Sequence, residues 1–202
     1  GPTQVIVKQY ASGICHSQLH QMHRPRPHPV ILGHESTGVV LKTGSAVSHV
    51  QEGDTVLVTW VPRDAGAANA PPVTAQLEVS DGIAISENVF TWADHTICDQ
   101  QYVVKVDPNI KKDVTAIIGC AVMTGAGAVI NTAKVKAGQS VVIFGVGGVG
   151  LSAVVGAKVA GANPIIAVDL DDRKLSFAKT FGATHVINAS EVDPVTAIHE
   201  MT

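Results

Sequence analysis

Aromatic residues make up only 4% of this 202-residue chain, and charged residues only 15%. So few rings argue against a sandwich built on aromatic pairs, while abundant Gly, Ala and Val suit a tightly packed α/β protein. The low charge is not a sign of disorder, because hydrophobic residues reach 46%, enough for a sizeable core. No basic run occurs and the formal net charge is −3. Nucleic acid and membranes are therefore excluded as partners. Three widely spaced cysteines cannot form a disulfide framework, which points to a reducing, cytoplasmic compartment. No charged-then-apolar leader is visible. There is no initiating Met either: Gly1-Pro2-Thr3 runs straight into a strand-like Val5-Ile6-Val7, as in a chain cut at its front. Residues 141–168 carry a single charge, Lys158. Six glycines in that window favour a buried strand plus helix over a membrane span.

The texture changes near residue 134. Before it, Val5–Tyr10, Gly38–Thr43 and Thr55–Trp60 have strand composition, with β-branched residues prominent. Gly44-Ser45 and Gly53-Asp54 mark turns. Cys15–Met22 reads as a short helix, and residues 62–88, rich in Ala, Pro, Gly and Asn, as a long loop. Asn88–Thr96 and Gln101–Val106 read as strands, and Asp113 as the cap of a helix over 114–130. After residue 134 a βαβ pattern follows: strand Ser140–Phe144, helix Gly148–Ala160, strand Pro164–Val168, helix Asp171–Phe181 with Gly182 as its stop, and strand His185–Asn188. Asp193-Pro194 then opens another helix. Two domains are expected, 1–133 and 134–202.

Gly145-Val-Gly147-Gly148-Val149-Gly150 fits G-x-G-x-x-G, follows a buried strand and opens a helix. Asp169 lies 19 residues after Gly150, at the end of the next strand. This is the setting of a dinucleotide-binding fingerprint. The glycines permit a tight turn, close approach of a pyrophosphate and close helix–strand packing, and the helix N-terminus supplies N–H donors. Asp169 would accept hydrogen bonds from ribose hydroxyls and repel a 2′-phosphate, which favours NAD over NADP.

Cys15, His34 and Cys120 offer two thiolates and one imidazole, a donor set known from catalytic zinc. Separations of 19 and 86 residues do not by themselves join them; a lone buried Cys is often only a small hydrophobe. Residues 33–47, GHESTGVVLKTGSAV, add context. So do Gly13-Ile14-Cys15-His16-Ser17, Gly53-Asp54-Thr55-Val56, Gly119-Cys120 and Thr124-Gly125. In this order, ahead of the glycine motif, they resemble the zinc-containing alcohol dehydrogenases of the medium-chain dehydrogenase/reductase superfamily.

The resemblance implies an α/β protein: a GroES-like, β-rich catalytic domain followed by the first half of a Rossmann nucleotide-binding domain. It implies one catalytic zinc on Cys15, His34 and Cys120, with NAD as cofactor and hydride transfer between an alcohol and an aldehyde or ketone. Ser17 would hydrogen-bond the substrate oxygen, His20 would relay its proton to solvent, and Glu35 would sit behind the metal. His16 would reach a cofactor phosphate, Thr124 the nicotinamide side, Gly145, Gly147, Gly148, Val149 and Gly150 the pyrophosphate, and Lys174 the adenosine ribose. His20 also reads as one exposed member of a His-rich stretch, Lys174 as a solvated helix charge, and Cys98 as structural.

Three departures from the family stand out. Gln18 occupies a position where the family usually carries an acid that orients the zinc-bound histidine. Residues 62–97 contain no cysteine, so the structural zinc of many members is not expected. The first strands of the catalytic domain and the later part of the nucleotide domain are lacking, so poor turnover and an exposed apolar sheet edge are expected. The full-length form would be a homo-oligomer. Two other readings stand beside this one: a zinc-free quinone or enone reductase of the same superfamily, and a nucleotide-binding protein without catalysis.

Overall fold

A computed structural model describes residues 1–64, 74–80 and 82–202. The chain forms two compact units, Gly1–Cys120 and Ala121–Thr202.

The first unit contains β1 (Gln4–Ser12), the short and largely exposed helix α1 (His16–Met22), β2 (Ser36–Thr43), β3 (Thr55–Val58), a hairpin of β4 (Thr74–Val79) and β5 (Gly82–Glu87), β6 (His95–Asp99) and β7 (Val103–Lys105). Five strands make an antiparallel sheet in the order β6-β1-β2-β3-β7. Irregular register between Ile6 and Val7 and between Gln9 and Ala11 bends β1, which raises local twist and curls the sheet. The curl closes over Val5, Val7, Val40, Val56, Val58, Cys98 and Val103, all at most 1% exposed. Each such side chain contributes roughly 1.5–3 kcal/mol by leaving water. Asp54 explains the Gly-Asp-Thr-Val turn: it accepts the Gln51 N–H at 3.0 Å and pairs with Lys105 at 2.7 Å. That lysine holds its carboxyl below the ordinary range.

Three sequence expectations change here. The loop expected over 62–88 contains the β4–β5 hairpin, with Thr74 opposite Glu87 and Val79 opposite Gly82; residues 65–73 and 81 lie outside the described residues. Asn88–Thr96 is not a strand, and pairing begins only at His95. The N–H groups of Thr91 and Trp92 both go to the Leu32 carbonyl instead. The helix expected over 114–130 begins earlier, at α2 (Lys112–Thr115), with Lys111 as its cap and Asp113 in its first turn.

Helical structure continues to Thr132 through π-type turns at Ile118–Val122 and Ala128–Thr132, flanking α3 (Met123–Gly127). Among the described residues, Lys112–Thr132 is the one helix long and apolar enough to cross a membrane. Its glycines lie against protein: Gly119 against Val58 and Thr59, Gly125 against Val149. The expected boundary at 133/134 differs from the observed one after Cys120 because α3 packs within the second unit. A Cβ on Gly125 would lie 2.1 Å from the Val149 carbonyl oxygen, and one on Gly156 would lie 2.9 Å from Ala126. Such close helix contact needs small residues.

The second unit alternates β8 (Val141–Phe144), α4 (Gly148–Val159), β9 (Ile165–Asp169), α5 (Asp172–Phe181), β10 (His185–Asn188) and α6 (Pro194–Met201). Residues 141–168 are thus a strand, a helix and a strand. The sheet is parallel, in the order β10-β9-β8, the first half of a Rossmann sheet. Ile166, Ala167 and Val168 on the middle strand are buried, as expected of a strand covered on both faces. Leu175 and Ala178 bury one face of α5. Asp171 and Asp193 cap α5 and α6. Phe144, on edge strand β8, is 62% exposed.

Candidate metal and coenzyme sites

Cys15 stands immediately before α1, His34 two residues before β2, and Cys120 on the π-type turn Ile118–Val122. One ligand atom from each lies within 4.8 Å of the other two. The two sulfurs are 3.8 Å apart. Both thiols and Cys98 are free, but Cys98 is fully buried on β6 in the sheet core. Burial first, then the Asp99 charge, pushes its thiol to about 12.

The ligand segments are pinned by groups the sequence did not single out. Trp92 donates its indole N–H to the Gly13 carbonyl at 3.1 Å. The Ser12 and Thr91 hydroxyls lie 2.8 Å apart, and both reach the Glu35 carbonyl, at 3.0 and 3.2 Å. Residues 91–92 therefore strap the Cys15 segment to the His34 segment. Gly33 has φ +96°, and a Cβ there would strike Thr91 and Trp92. Thr59, just beyond β3, donates to the Gly119 carbonyl at 2.7 Å and fixes the backbone beside Cys120. A lone Thr-Trp pair in an irregular segment carries no sequence signal for such a role.

Gln18 is fully buried. Its Oε1 accepts the Cys15 N–H at 2.7 Å, and its Nε2 lies 3.1 Å from His34 Nδ1. With Nδ1 so engaged, His34 Nε2 is the ring nitrogen left for a metal, and it is buried without a hydrogen-bond partner. Burial lowers the His34 pKa, which keeps the imidazole neutral, the ligand form. The Cys120 thiol is pushed up to about 12 by burial first, then by its hydrogen bond to Cys15 and by the Cys15 and Glu35 charges, against an opposing hydrogen bond from Trp60. Burial and the neighbouring groups thus keep the Cys120 thiol protonated while no metal is bound, and a bound dication would reverse that balance in favour of the thiolate. The donor set and the orphaned Nε2 both fit zinc.

Ser17 donates to Cys15 Sγ at 3.3 Å. Glu35 is 1% exposed, and a Cβ on Gly13 would collide with its carboxyl group. His16 and His20 are exposed and stacked, with centroids 5.3 Å apart. Trp60 is half-exposed, with its ring edge-on to His34 at 6.5 Å. The sequence reading passed over this aromatic residue.

In the second unit, Gly145 has φ +81°, and a Cβ on Gly150 would lie 1.9 Å from the Gly145 carbonyl oxygen. Gly147 differs: a Cβ there would meet no atom within 4 Å. Protein packing gives no reason for glycine at 147. Gly148 and Val149 open α4, where free N–H groups gather. Asp169 accepts N–H bonds from Val146 (2.9 Å), Leu170 (2.8 Å) and Asp171 (3.2 Å). Lys174 stands 3.7 Å away. Burial would raise the Asp169 pKa, but these N–H groups and Lys174 outweigh it and lower the value. Phe144, Gly145, Val168, Asp169, Leu170 and Ala189 line a cavity of about 310 Å³. Thr124 is exposed on α3.

A curled antiparallel sheet carrying a Cys-His-Cys cluster, and a parallel βαβ unit with a glycine turn, are the two parts that the zinc-binding dehydrogenase class combines. The family model for the alcohol dehydrogenase GroES-like domain matches residues 1–108, and that for the zinc-binding dehydrogenase domain matches 148–202. The class-3 alcohol dehydrogenase of Cereibacter sphaeroides is 36% identical over 97% of this chain and 59% of its own length. The S-(hydroxymethyl)glutathione dehydrogenase of Paracoccus denitrificans is 36% identical over 95% and 58%. Among solved structures, benzyl alcohol dehydrogenase from Acinetobacter calcoaceticus superposes with a TM-score of 0.86 at 35% identity, covering 99% of this chain and 60% of that one. The chain belongs to the zinc-containing alcohol dehydrogenase family of the medium-chain dehydrogenase/reductase superfamily. It spans about three-fifths of the length of these relatives.

Proposed function

We propose that this chain carries the zinc centre and the adenosine-side coenzyme site of an oxidoreductase that moves hydride between an alcohol and NAD. The gathering of Cys15, His34 and Cys120 donor atoms within 4.8 Å, from segments up to 105 residues apart, carries the reading. When bound, zinc supplies Lewis-acid polarisation of the substrate oxygen, and NAD supplies the hydride acceptor. Cys15, His34 and Cys120 hold the zinc. Ser17, beside Cys15, takes the proton of the alcohol as it hands its own hydroxyl proton on. His20, exposed on the same helix, passes it to solvent. His16 stands beside it to meet a cofactor phosphate. Gly147 and the α4 N-terminus receive the pyrophosphate, Asp169 and Lys174 the adenosine ribose, and Thr124 the nicotinamide side. The Asp169 charge selects NAD against NADP.

The absence of cysteine from 62–97 supports a single zinc per chain. Trp60 offers an apolar wall near His34, which suits alcohols bearing an apolar or aromatic group. Three free thiols suit a reducing, cytoplasmic setting, and a homo-oligomer is the expected assembly.

Metal analysis of the purified chain beside Cys120→Ser tests the reading. One zinc per chain, lost in the variant, is the expected result. A folded chain that takes up no zinc refutes it.

A further inference from the structure

We infer that Gln18 is a positioning residue that sets which nitrogen of His34 carries the ring proton, and thereby opposes metal uptake. The inference rests on the proposal that Cys15, His34 and Cys120 hold a metal. Gln18 is fully buried and has two partners at close range, the Cys15 N–H at 2.7 Å and His34 Nδ1 at 3.1 Å. A backbone N–H can only donate, so the amide oxygen must face Cys15. The amide nitrogen, also only a donor, then faces His34. Nδ1 must therefore accept, and the proton of the neutral ring sits on Nε2. That is the buried nitrogen without a hydrogen-bond partner, the one left for a metal while Nδ1 is held by Gln18.

A metal at Nε2 needs the lone pair there, so the ring proton must move to Nδ1. In chemical balance, one proton leaves Nε2 for solvent and one is taken up at Nδ1, with no net change on the ring. Nδ1–H then needs an acceptor. Gln18 can provide one only by turning its amide over, which sets its NH₂ against the Cys15 N–H. One buried donor is left opposed in either state of the loaded site. A carboxylate at this position would accept from both donors at once, because each of its oxygens is an acceptor. Gln18 has the length of Glu but a single acceptor for two donors. The metal-free arrangement is the one it satisfies completely.

The test uses the whole chain with ¹⁵N-labelled histidine. Long-range ¹H–¹⁵N correlation at mildly alkaline pH reports the tautomer of His34 directly, before and after one equivalent of zinc. We expect Nε2–H without metal and Nδ1–H with it. In Gln18→Glu we expect Nδ1–H in both states. Competition against a chromophoric chelator is expected to show zinc held about 10-fold to 100-fold more tightly in Gln18→Glu than in the parent. Nδ1–H in the metal-free parent overturns the inference, as does equal zinc affinity in the two proteins. If neither protein takes up zinc, the metal reading of the site falls, while the metal-free tautomer still decides the role of Gln18.

Discussion

Two glycines three residues apart in one turn hold their places for different reasons, and that difference can be measured. A Cβ on Gly150 would lie 1.9 Å from the Gly145 carbonyl oxygen and 2.9 Å from its carbon. Both are backbone atoms, so no side-chain rotation relieves the overlap, and Gly145 is itself fixed at φ +81° where few other residues fit. Gly150→Ala must push α4 away from the end of β8. An overpacked core site of this kind costs about 1–3 kcal/mol, and each kcal/mol lowers Tm by roughly 2–4 °C at this chain length. Gly147 has φ −73° and ψ −166°, which alanine adopts freely, and open space where its Cβ would go. Gly147→Ala is expected to leave the urea midpoint and Tm unchanged. Its methyl group would occupy the approach of the pyrophosphate, so NAD affinity should fall about tenfold or more, about 1.4 kcal/mol. Urea unfolding and calorimetric NAD titration of both variants separate the two effects. Full stability in Gly150→Ala would refute the packing argument. Full NAD affinity in Gly147→Ala would refute the phosphate assignment.

Trp92→Phe removes the indole bond that ties residues 91–92 to Gly13. It is expected to lower stability by about 1 kcal/mol and to weaken zinc binding while leaving its stoichiometry intact; unaltered zinc affinity would show that the strap does not hold the ligands. Asp169 has a folded-state pKa below its ordinary 3.8, so its charge stabilises the fold above that value and the contribution is lost as pH falls through the folded value. Urea midpoints measured from neutral pH into acid should fall less steeply for Asp169→Asn than for the parent, and parallel curves would refute the linkage. Cys98→Ala opens a small hole in the sheet core and is expected to cost about 1 kcal/mol without changing zinc content; a loss of metal would place Cys98 in the centre after all.

Legibility from sequence followed how local the interactions are. The βαβ unit was readable to within a residue or two, and β10 at His185–Asn188 to the residue. Its caps, glycine turn and buried runs are all set by near neighbours in the chain. The first unit is built from long-range pairing, and composition failed there in a consistent way. Asn88–Thr96 has strand-like residues, and Phe90 and Thr91 are indeed buried. Burial, however, does not say what the backbone bonds to, and here it serves the His34 segment instead of a sheet. The β4–β5 hairpin was hidden for the converse reason, because alternating Leu77, Ile83 and Ile85 sit beside Ala- and Pro-rich sequence that reads as loop.

The metal trio could be joined only by resemblance, since nothing in separations of 19 and 86 residues makes three segments meet. Gln18 marks the limit of that resemblance. Beside the family pattern it reads as a lost charge, which suggests a weaker field at the histidine. In place, it is a side chain of unchanged reach, fully buried, between two groups that both need an acceptor once a metal is bound. The sequence difference is one of charge, while the structural consequence is one of acceptor count. Of the two, only acceptor count moves a proton between the nitrogens of His34, so the tautomer is the measurement that separates them.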